Sequence, residues 1–558
     1  MRQNSRNIDV LVELLKIKKI NKIVISPGGT NIPFVKAVQD DPFFTCYSIV
    51  DERSAIYFGI GLYLQTGEII ACSCTSAQAT RNYIPGLTEA YYKRVPILAI
   101  TMAKHPRFTY QEYMQAPDQT SLPNDCVKKS FALPYISDLN DEIHSIRLIN
   151  EAIDTLKNKR LGPVQLCIPW LDFPLPEYSP IVKNVTRYTY EEPWNLELKN
   201  KSILLVIGEH VKFKESAVEA INKFSESYNV AIYSNHLSNF HNKYTVNANL
   251  LLLASRPQEF YKLAPKIIIT IGGQTGDYPL YNMFSSPEFS NVEHWRVSLD
   301  GEMIDTYDKL TKVFECSEEY FFNNTCKDEK CEHNYYEQLS NAIANIQTDV
   351  KLPFSNASIA LYLHNRIPQN SVIQFSILNS LRIWNLYDLD NSIECYSNVG
   401  AFGIDGGMST LIGQSIINDN LCFMIIGDLA FYYDMNSIGI RHIKNNLRIL
   451  LINNNGGIEF KFGKSNNEKM DKYIAAGNHF KNAKGWAETC GFRYMSANTM
   501  EEFEEQAKDF IGISDRPIIF EAFVSDIDEA DAYNMLIEKN MTRTIHDKIK
   551  SGIKGIIR

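Results

Sequence analysis

A strand–helix–strand unit in the last third of the sequence constrains the fold more than any other stretch. The apolar run Cys422–Ile426 is typical of a buried parallel strand, and it stops at Gly427 and Asp428. A helix-like segment follows, and then a second apolar run, Ile449–Ile452, ends in the Asn- and Gly-rich segment 453–457. Ligands of open α/β sheets bind outside the carboxyl ends of the strands. We therefore expect the polar residues after both strands to meet at one site.

These residue types suit a hard cation and a diphosphate. Asp428 offers a carboxylate, an Asn of the 453–455 triplet offers an amide oxygen, and the glycine-flanked turn can present a backbone carbonyl. Mg²⁺ prefers such oxygen ligands and completes its shell with phosphate and water. Gly427 allows close approach of the backbone to a diphosphate. The alternative is that Gly-Asp ends a strand and caps a helix while the Asn run is only a turn. Both motifs at neighbouring strand ends favour the ligand site.

Strand-like and helix-like segments alternate along the whole 558-residue chain. The pattern predicts an α/β protein with three doubly wound parallel-sheet domains, at 1–182, 186–350 and 354–558. Two strands of the middle domain end in glycines, but neither glycine belongs to a G-x-G-x-x-G sequence. A dinucleotide site is therefore not predicted.

Composition narrows the classes of partner. The net charge of −9 is spread along the chain, which argues against nucleic acid or an anionic membrane as the main partner. No stretch approaches the ~20 apolar residues of a membrane helix. Eleven scattered cysteines are typical of reduced thiols and predict a cytoplasmic location. Cys316, Cys326, Cys331 and His333 lack the paired spacing of a zinc site, so we predict a surface loop with free thiols.

Glu52 is the strongest catalytic candidate of the first third. It lies in Asp51-Glu52-Arg53, between a strand and a helix, with apolar neighbours on both sides. Such surroundings should raise the pKa of the carboxyl group and keep a proton available. The alternative is an acidic residue favoured by the dipole in the first turn of a helix.

The two strand-end motifs together resemble the metal-binding motif of the thiamine-diphosphate-dependent enzyme family, Gly-Asp-x followed some twenty-odd residues later by Asn-Asn. The variant here, G-D-L…N-N-N-G-G, is most similar to the synthases of menaquinone biosynthesis. The resemblance implies thiamine diphosphate and Mg²⁺ as cofactors. It also implies the metal ligands Asp428, Asn454 and the Gly456 carbonyl, with Asn455 as a register alternative.

Other motifs extend the resemblance over nearly the whole chain, and they imply an aminopyrimidine-binding first domain, a Rossmann-like middle domain and a diphosphate-binding third domain. Glu52 would hold N1′ of the aminopyrimidine, Gln115 would lie near the reacting carbons, and Ile404 would bend the cofactor into a V shape. The implied cofactor-binding residues are Ser26, Gly28, Ser76, Gln78, Ser380, Ile404, Gly427, Asp428, Leu429, Asn454 and Asn455.

The resemblance fails where the synthases bind their anionic substrates. Thr30, Val399 and Trp384 stand where the family has arginines, and Asp277-Tyr278 stands in place of a Lys-Arg pair. An Arg fork matched to a carboxylate is not replaced by such side chains without loss of strong bonds. The candidates for new anion contacts are Lys104, His105, Arg107 and Arg382, with surface solvation as the alternative for each.

The sequence therefore predicts thiamine-diphosphate- and Mg²⁺-dependent decarboxylation of a small-molecule 2-oxo acid, with transfer of the acyl unit to an acceptor. The alternatives are the menaquinone synthase itself, using 2-oxoglutarate and isochorismate, a simple 2-oxo acid decarboxylase, and a non-catalytic scaffold that binds the cofactor. In the family the domain carrying the Glu52 equivalent meets the metal domain of a partner chain. We therefore expect a homodimer or homotetramer.

Overall fold

The computed structural model describes residues 2–170, 185–191, 193–276, 278–327, 331–462, 473–478 and 481–541. Within these ranges the strands form three sheets, and every strand pair is parallel. The predicted fold class, α/β with three parallel-sheet units, is confirmed. The predicted boundary at 182 and position Asp277 lie outside the described residues, and the exact domain limits remain a prediction.

The N-terminal sheet has the strand order β2-β1-β3-β4-β6-β5. Its strands are β1 (Lys22–Ile25), β2 (Thr45–Ser48), β3 (Ile70–Cys74), β4 (Ile97–Lys104), β5 (Ser130–Ala132) and β6 (Val164–Trp170). Its helices are α1 (Arg2–Ile17), α2 (Ile32–Val38), α3 (Glu52–Thr66), α4 (Gln78–Asn82), α5 (Ile84–Lys93) and α6 (Leu139–Thr155). Apolar side chains pack on both faces of this sheet, which explains why its central strands are apolar without alternation.

The middle sheet has the order β10-β9-β8-β11-β12-β13-β7. Its strands are β7 (Thr186–Tyr188), β8 (Ile203–Ile207), β9 (Val230–Ser234), β10 (Thr245–Val246), β11 (Ile267–Ile271), β12 (Glu293–Ser298) and β13 (Leu310–Glu315). Its helices are α7 (Glu215–Ser227), α8 (Asn249–Ala254), α9 (Pro257–Phe260), α10 (Pro279–Phe284), α11 (Glu318–Thr325) and α12 (Asn334–Ala344). Cys316 follows β13 and is fully buried, so the expected surface loop is wrong for this thiol.

The C-terminal sheet has the order β15-β14-β16-β17-β19-β18. Its strands are β14 (Val372–Phe375), β15 (Glu394–Ser397), β16 (Cys422–Gly427), β17 (Leu447–Asn453), β18 (Arg493–Ala497) and β19 (Ile518–Phe523). Its helices are α13 (Asn356–Leu363), α14 (Asn379–Trp384), α15 (Gly407–Ile417), α16 (Asp428–Tyr433), α17 (Lys484–Thr489), α18 (Met500–Ile511) and α19 (Asp526–Asn540).

The unit that constrains the sequence is present, with a shorter helix than expected. Strands β16 and β17 are neighbours, and Gly427 pairs with Ile452, so Asp428 and the Asn triplet leave the sheet side by side. Helix α16 ends at Tyr433, and a 3₁₀ helix, Met435–Gly439, replaces the expected helical continuation. Among the described helices, none has the length and apolar composition needed to cross a membrane.

Candidate active site

A single pocket lies between the N-terminal and C-terminal sheets and brings most of the expected site residues together. Segments that follow β1, β3, β14, β16 and β17 all line it. The expected residues on its wall are Gly28, Glu52, Ser76, Gln78, Gln115, Ser380, Ile404, Gly427, Asp428, Leu429, Asn454 and Gly456. The carboxyl ends of parallel strands meet at one edge of a sheet, and here two such edges face each other.

Asp428 and Asn454 form the polar end of this pocket. Asp428 is 2% exposed, and its carboxylate accepts hydrogen bonds from the backbone N–H of Leu429 at 2.7 Å and of Gly456 at 2.9 Å. Burial raises the pKa of Asp428 to about 7, against the effect of these backbone donors. The side-chain oxygen of Asn454 is buried and has no hydrogen-bond partner among the described residues. An unpartnered buried amide oxygen is costly unless a ligand satisfies it.

The structure separates the two register alternatives of the Asn triplet. Asn454 is 7% exposed and lines the pocket. Asn455 is exposed, has a positive φ of 63°, and donates to the side-chain oxygen of Asn478 at 3.2 Å. Its side chain is therefore directed away from Asp428, and the position of Asn454 fits the ligand role better.

Within the part of the chain that the structure describes, two further buried oxygens in the pocket wall have no partner, namely Ser76 Oγ and Asn379 Oδ1. Ser26 Oγ is also buried without a partner, but Ser26 does not line the pocket. Natural proteins satisfy nearly all buried polar atoms. The unpartnered oxygens of the pocket therefore match a polar ligand with its metal. No group of three His, Cys, Asp or Glu side chains in the described ranges is placed to hold a metal.

Glu52 belongs to a hydrogen-bonded chain that crosses from one sheet to the other. Its side chain accepts a hydrogen bond from the Tyr433 hydroxyl at 2.6 Å, and Asn82 donates to the same hydroxyl at 2.6 Å. Glu52 is 6% exposed. Burial raises the pKa of Glu52 to about 7, while the Tyr433 hydrogen bond lowers it and the Asp405 and Asp51 carboxylates raise it. The group can therefore hold or release a proton near neutral pH.

The segment 397–406 contacts the N-terminal domain closely. Gln115 has a positive φ of 58°, and its side-chain amide donates to the Phe402 carbonyl at 3.3 Å. A Cβ on Gly403 would lie 2.8 Å from Gln78 Cβ, so only glycine fits there without movement. Ile404 is half-buried and lines the pocket between the two halves.

The three positions where arginines were expected are buried, and none of them is part of the described pocket wall. Thr30 is 2% exposed, and its hydroxyl lies 2.7 Å from that of Thr75 and accepts from the Ser76 N–H. Trp384 is fully buried, and its indole donates to Asn356 Oδ1 at 3.1 Å. Val399 is fully buried and packs against Gly276 of the middle domain. These side chains stabilise loops and core, so each has a structural use.

The candidate anion-binding residues are absent from the described pocket wall. Lys104 lies over the Tyr113 ring, and Arg107 forms an ion pair with Asp308 at 3.3 Å. Arg382 is held by both carboxylate oxygens of Glu459, at 2.5 and 3.0 Å. The described wall contains acidic side chains and no Lys, Arg or His.

Comparisons with known proteins agree with this geometry. The family profile described as "Thiamine pyrophosphate enzyme, N-terminal TPP binding domain" matches residues 7–122. The 2-succinyl-5-enolpyruvyl-6-hydroxy-3-cyclohexene-1-carboxylate synthase of Bacteroides thetaiotaomicron is 31% identical over 97% of this chain and 100% of its own length. The chain belongs to the thiamine-diphosphate-dependent enzyme family. The synthase of the same name from Bacteroides fragilis is 32% identical over 96% of this chain and 100% of its own length.

Membership in the thiamine-diphosphate-dependent family implies thiamine diphosphate with a divalent metal such as Mg²⁺. The pocket fits both, because its unpartnered oxygens include Asn454 Oδ1 beside Asp428 and Ser76 Oγ on the opposite side. Glu52 and Asp428 line this pocket within the single chain that the structure contains. The expected homodimer or homotetramer remains a prediction.

Sequence reasoning missed several residues of the wall, among them Asn82, Asn356, Asp405, Tyr433, Glu459 and Phe460. Asp405 follows Ile404 and Tyr433 lies shortly after Asp428. A polar side chain so close to an expected site residue was the signal that could have identified each of them. Asn356 is far from every motif and had no such signal. Its place depends on how α13 packs against α14.

Proposed function

We propose that this protein catalyses thiamine-diphosphate- and Mg²⁺-dependent decarboxylation of a 2-oxo acid and transfers the acyl unit to an acceptor. Asp428, Asn454 and the Gly456 carbonyl would hold the metal. When bound, thiamine diphosphate supplies a nucleophilic carbon and an electron sink for the release of CO₂. The observation that carries the proposal is the meeting of Glu52 with Asp428 and Asn454 in one pocket.

The chain's own residues account for binding, orientation and proton transfer. Glu52, held by Tyr433, would exchange a proton with the aminopyrimidine, for which a pKa near the working pH is the most efficient. Ile404 and Phe402 supply an apolar wall that excludes water from the reacting atoms. A scaffold that bound the cofactor only for stability would have no need of a buried acid with this pKa.

The second candidate is the synthase reaction of the relatives, with 2-oxoglutarate and isochorismate. The observation that favours it is the 31–32% identity over nearly the whole chain to synthases of that name, and the comparisons support it better than a different substrate pair. The side chains at Thr30, Val399 and Trp384 favour a different pair. Simple decarboxylation, with protonation in place of transfer, is the remaining enzymatic alternative.

A substrate screen tests the proposal. The purified protein with thiamine diphosphate and Mg²⁺ is given a panel of 2-oxo acids, alone and with aldehyde or enoate acceptors, and CO₂ and coupled products are measured. The 2-oxoglutarate and isochorismate pair is included. We expect metal-dependent CO₂ release that is lost in Glu52→Gln. Absence of CO₂ release from every acid by a protein that binds the cofactor would contradict an enzymatic function.

We also propose at least a homodimer, on the family resemblance alone. Light scattering of the purified protein measures its mass against the 63.8 kDa of one chain. A fully active monomer would contradict this proposal and would favour the single-chain pocket described above.

A further inference from the structure

A partly buried ion pair connects the wall of the pocket with the residue behind it. Glu459 belongs to the 3₁₀ helix Ile458–Phe460, which follows the Asn-rich turn, and it lines the pocket. Arg382 belongs to α14, one turn after the pocket residues Asn379 and Ser380. The Arg382 side chain is 11% exposed and the Glu459 side chain 25% exposed. The pair therefore joins the two segments that flank the polar end of the pocket.

The geometry of this pair is that of an arginine binding a carboxylate ligand. Nη1 donates to one oxygen of Glu459 at 2.5 Å, and Nη2 donates to the other at 3.0 Å. Such a two-point contact is the arrangement by which arginines recognise carboxylates in general. Burial works against the charge of Arg382, but the Glu459 carboxylate more than offsets this and raises the pKa of the guanidinium. Arg382 is thus charged and already satisfied.

We propose that Glu459 is an internal carboxylate that occupies Arg382, so that the site selects 2-oxo acids without a second carboxylate. This inference rests on the proposed function and names the substrate class of the same site. A second carboxylate on the donor would meet a described wall that carries Glu459, Glu52 and Asp405, and the Arg382 guanidinium next to Glu459 is already paired. Donors with short neutral side chains avoid both repulsion and an unpaired buried charge.

Removal of the internal carboxylate should expose the arginine to substrate. Glu459→Ala leaves Arg382 without its partner and opens the space that the Glu459 side chain filled. The second carboxylate of a dicarboxylic acid can then bind Arg382 in that space. In Glu459→Gln the charge is removed but the volume remains. In the double variant Arg382→Met with Glu459→Ala the cation is gone as well. The neighbouring ion pair of Lys461 and Asp526, at 2.6 Å, supplies the control variant Asp526→Asn.

Two measurements test the inference. The first is the ratio of kcat/KM for 2-oxoglutarate to that for 2-oxobutyrate, which we expect to be below one in the wild type. It should rise about tenfold or more in Glu459→Ala, less in Glu459→Gln, and not at all in the double variant or in Asp526→Asn. The second is calorimetric binding of glutarate, a dicarboxylate that cannot react. Binding should become measurable in Glu459→Ala, be weaker in Glu459→Gln, and be absent in the wild type and the double variant.

The outcomes separate this inference from the proposed function. A wild type that prefers 2-oxoglutarate would overturn the inference and leave the proposed function intact. A folded, cofactor-binding Glu459→Ala with unchanged selectivity and no glutarate binding would also overturn it. A protein that decarboxylates no 2-oxo acid would contradict the proposed function, and glutarate binding would then still decide the role of Glu459. Thermal melting and thiamine diphosphate titration of each variant identify a loss of folding, in which case Glu459→Gln is compared instead.

Discussion

The polar groups on the wall of the pocket and those at the positions expected to contact substrate differ in how they are satisfied. On the wall of the pocket, Ser76, Asn379 and Asn454 each have a buried oxygen with no partner among the described residues. At the positions considered for substrate contacts, Arg382 is paired with Glu459, and Thr30 is bonded to Thr75. A buried polar atom without a partner destabilises the empty protein, whereas a paired one does not. The oxygens on the wall can therefore be satisfied by a ligand, whereas the groups at the expected substrate positions are already paired within the protein.

The largest expected effect concerns the substrate pair of the relatives. If arginine contacts are lost at Thr30 and Val399, each should cost ~2–5 kcal/mol when the substrate carboxylate stays buried and unpaired. The two losses together lower kcat/KM for 2-oxoglutarate plus isochorismate by about three to seven powers of ten, at ~1.4 kcal/mol per decade. The measurement compares this pair with other 2-oxo acids on the same enzyme.

Thr30→Arg and Val399→Arg should not restore the synthase reaction. Both positions are buried, and the Thr30 hydroxyl accepts a hydrogen bond from the loop that carries Ser76. An arginine at either position should therefore disturb packing without forming a contact with the substrate. Efficient synthase turnover by the wild type would show that pairing at the expected substrate positions does not exclude the substrates of the relatives. The chain would then share the function of its relatives.

The next effect concerns the expected metal ligand Asp428. Asp428→Ala should reduce the affinity for thiamine diphosphate in the presence of Mg²⁺ by at least about a hundredfold, because the only carboxylate of the expected metal set is lost. Calorimetric titration with and without EDTA measures the change. Asp434→Ala, six residues further and bonded to Ser409, is the control. Equal affinity of wild type and Asp428→Ala would reject the metal assignment.

Glu52 should make the stability of the cofactor-free protein depend on pH. Its pKa is about 7 in the folded chain against an ordinary value of 4.5. The stabilising contribution of the protonated group is complete below about pH 4.5 and is lost as the pH rises through about 7. Glu52→Gln removes this loss, so it should be more stable than the wild type above pH 7, by up to about 3 kcal/mol.

Melting temperatures of both proteins from pH 4.5 to 8.5 measure this difference. We expect the curves to meet at the acid end and to separate towards pH 8. Parallel curves over the whole range would show that Glu52 ionises in the folded protein much as it does in water.

The smallest expected effect concerns Tyr433. Its hydroxyl donates to Glu52 and lowers the pKa of that carboxyl group, so Tyr433→Phe should raise that pKa. Tyr433→Phe is compared with the double variant Tyr433→Phe/Glu52→Gln. Their melting curves should separate at a higher pH than those of the wild type and Glu52→Gln. Tyr432→Phe, the adjacent tyrosine, is the control and should leave the midpoint unchanged. An unchanged midpoint in Tyr433→Phe would mean that the hydroxyl does not control the proton of Glu52.

Much of the fold could be predicted from the sequence, and the exceptions have physical reasons. The apolar runs Ile203–Ile207, Ile267–Ile271 and Val372–Phe375 coincide with strands of the same bounds, because strands buried on both faces are continuously apolar. The edge strands β5, β7 and β10 have two or three residues each, too few for a pattern. The helix after Asp428 ends at Tyr433. The residues that continue the helical spacing of apolar side chains form a 3₁₀ helix, Met435–Gly439, instead.

The sequence by itself determined which strand ends carry the polar residues of the site, since Gly427-Asp428 and the Asn run each adjoin a long apolar strand. Only the tertiary structure decided which of these residues meet, and which charges remain available to a substrate. Tyr433 and Glu52 are 381 residues apart, and Arg382 and Glu459 are 77 apart. Local patterns depend on neighbours along the chain. The pairing of Glu52 with Tyr433 depends on how two sheets pack against each other, and that of Arg382 with Glu459 on how two strand ends of one sheet are placed. No short stretch of sequence encodes either arrangement.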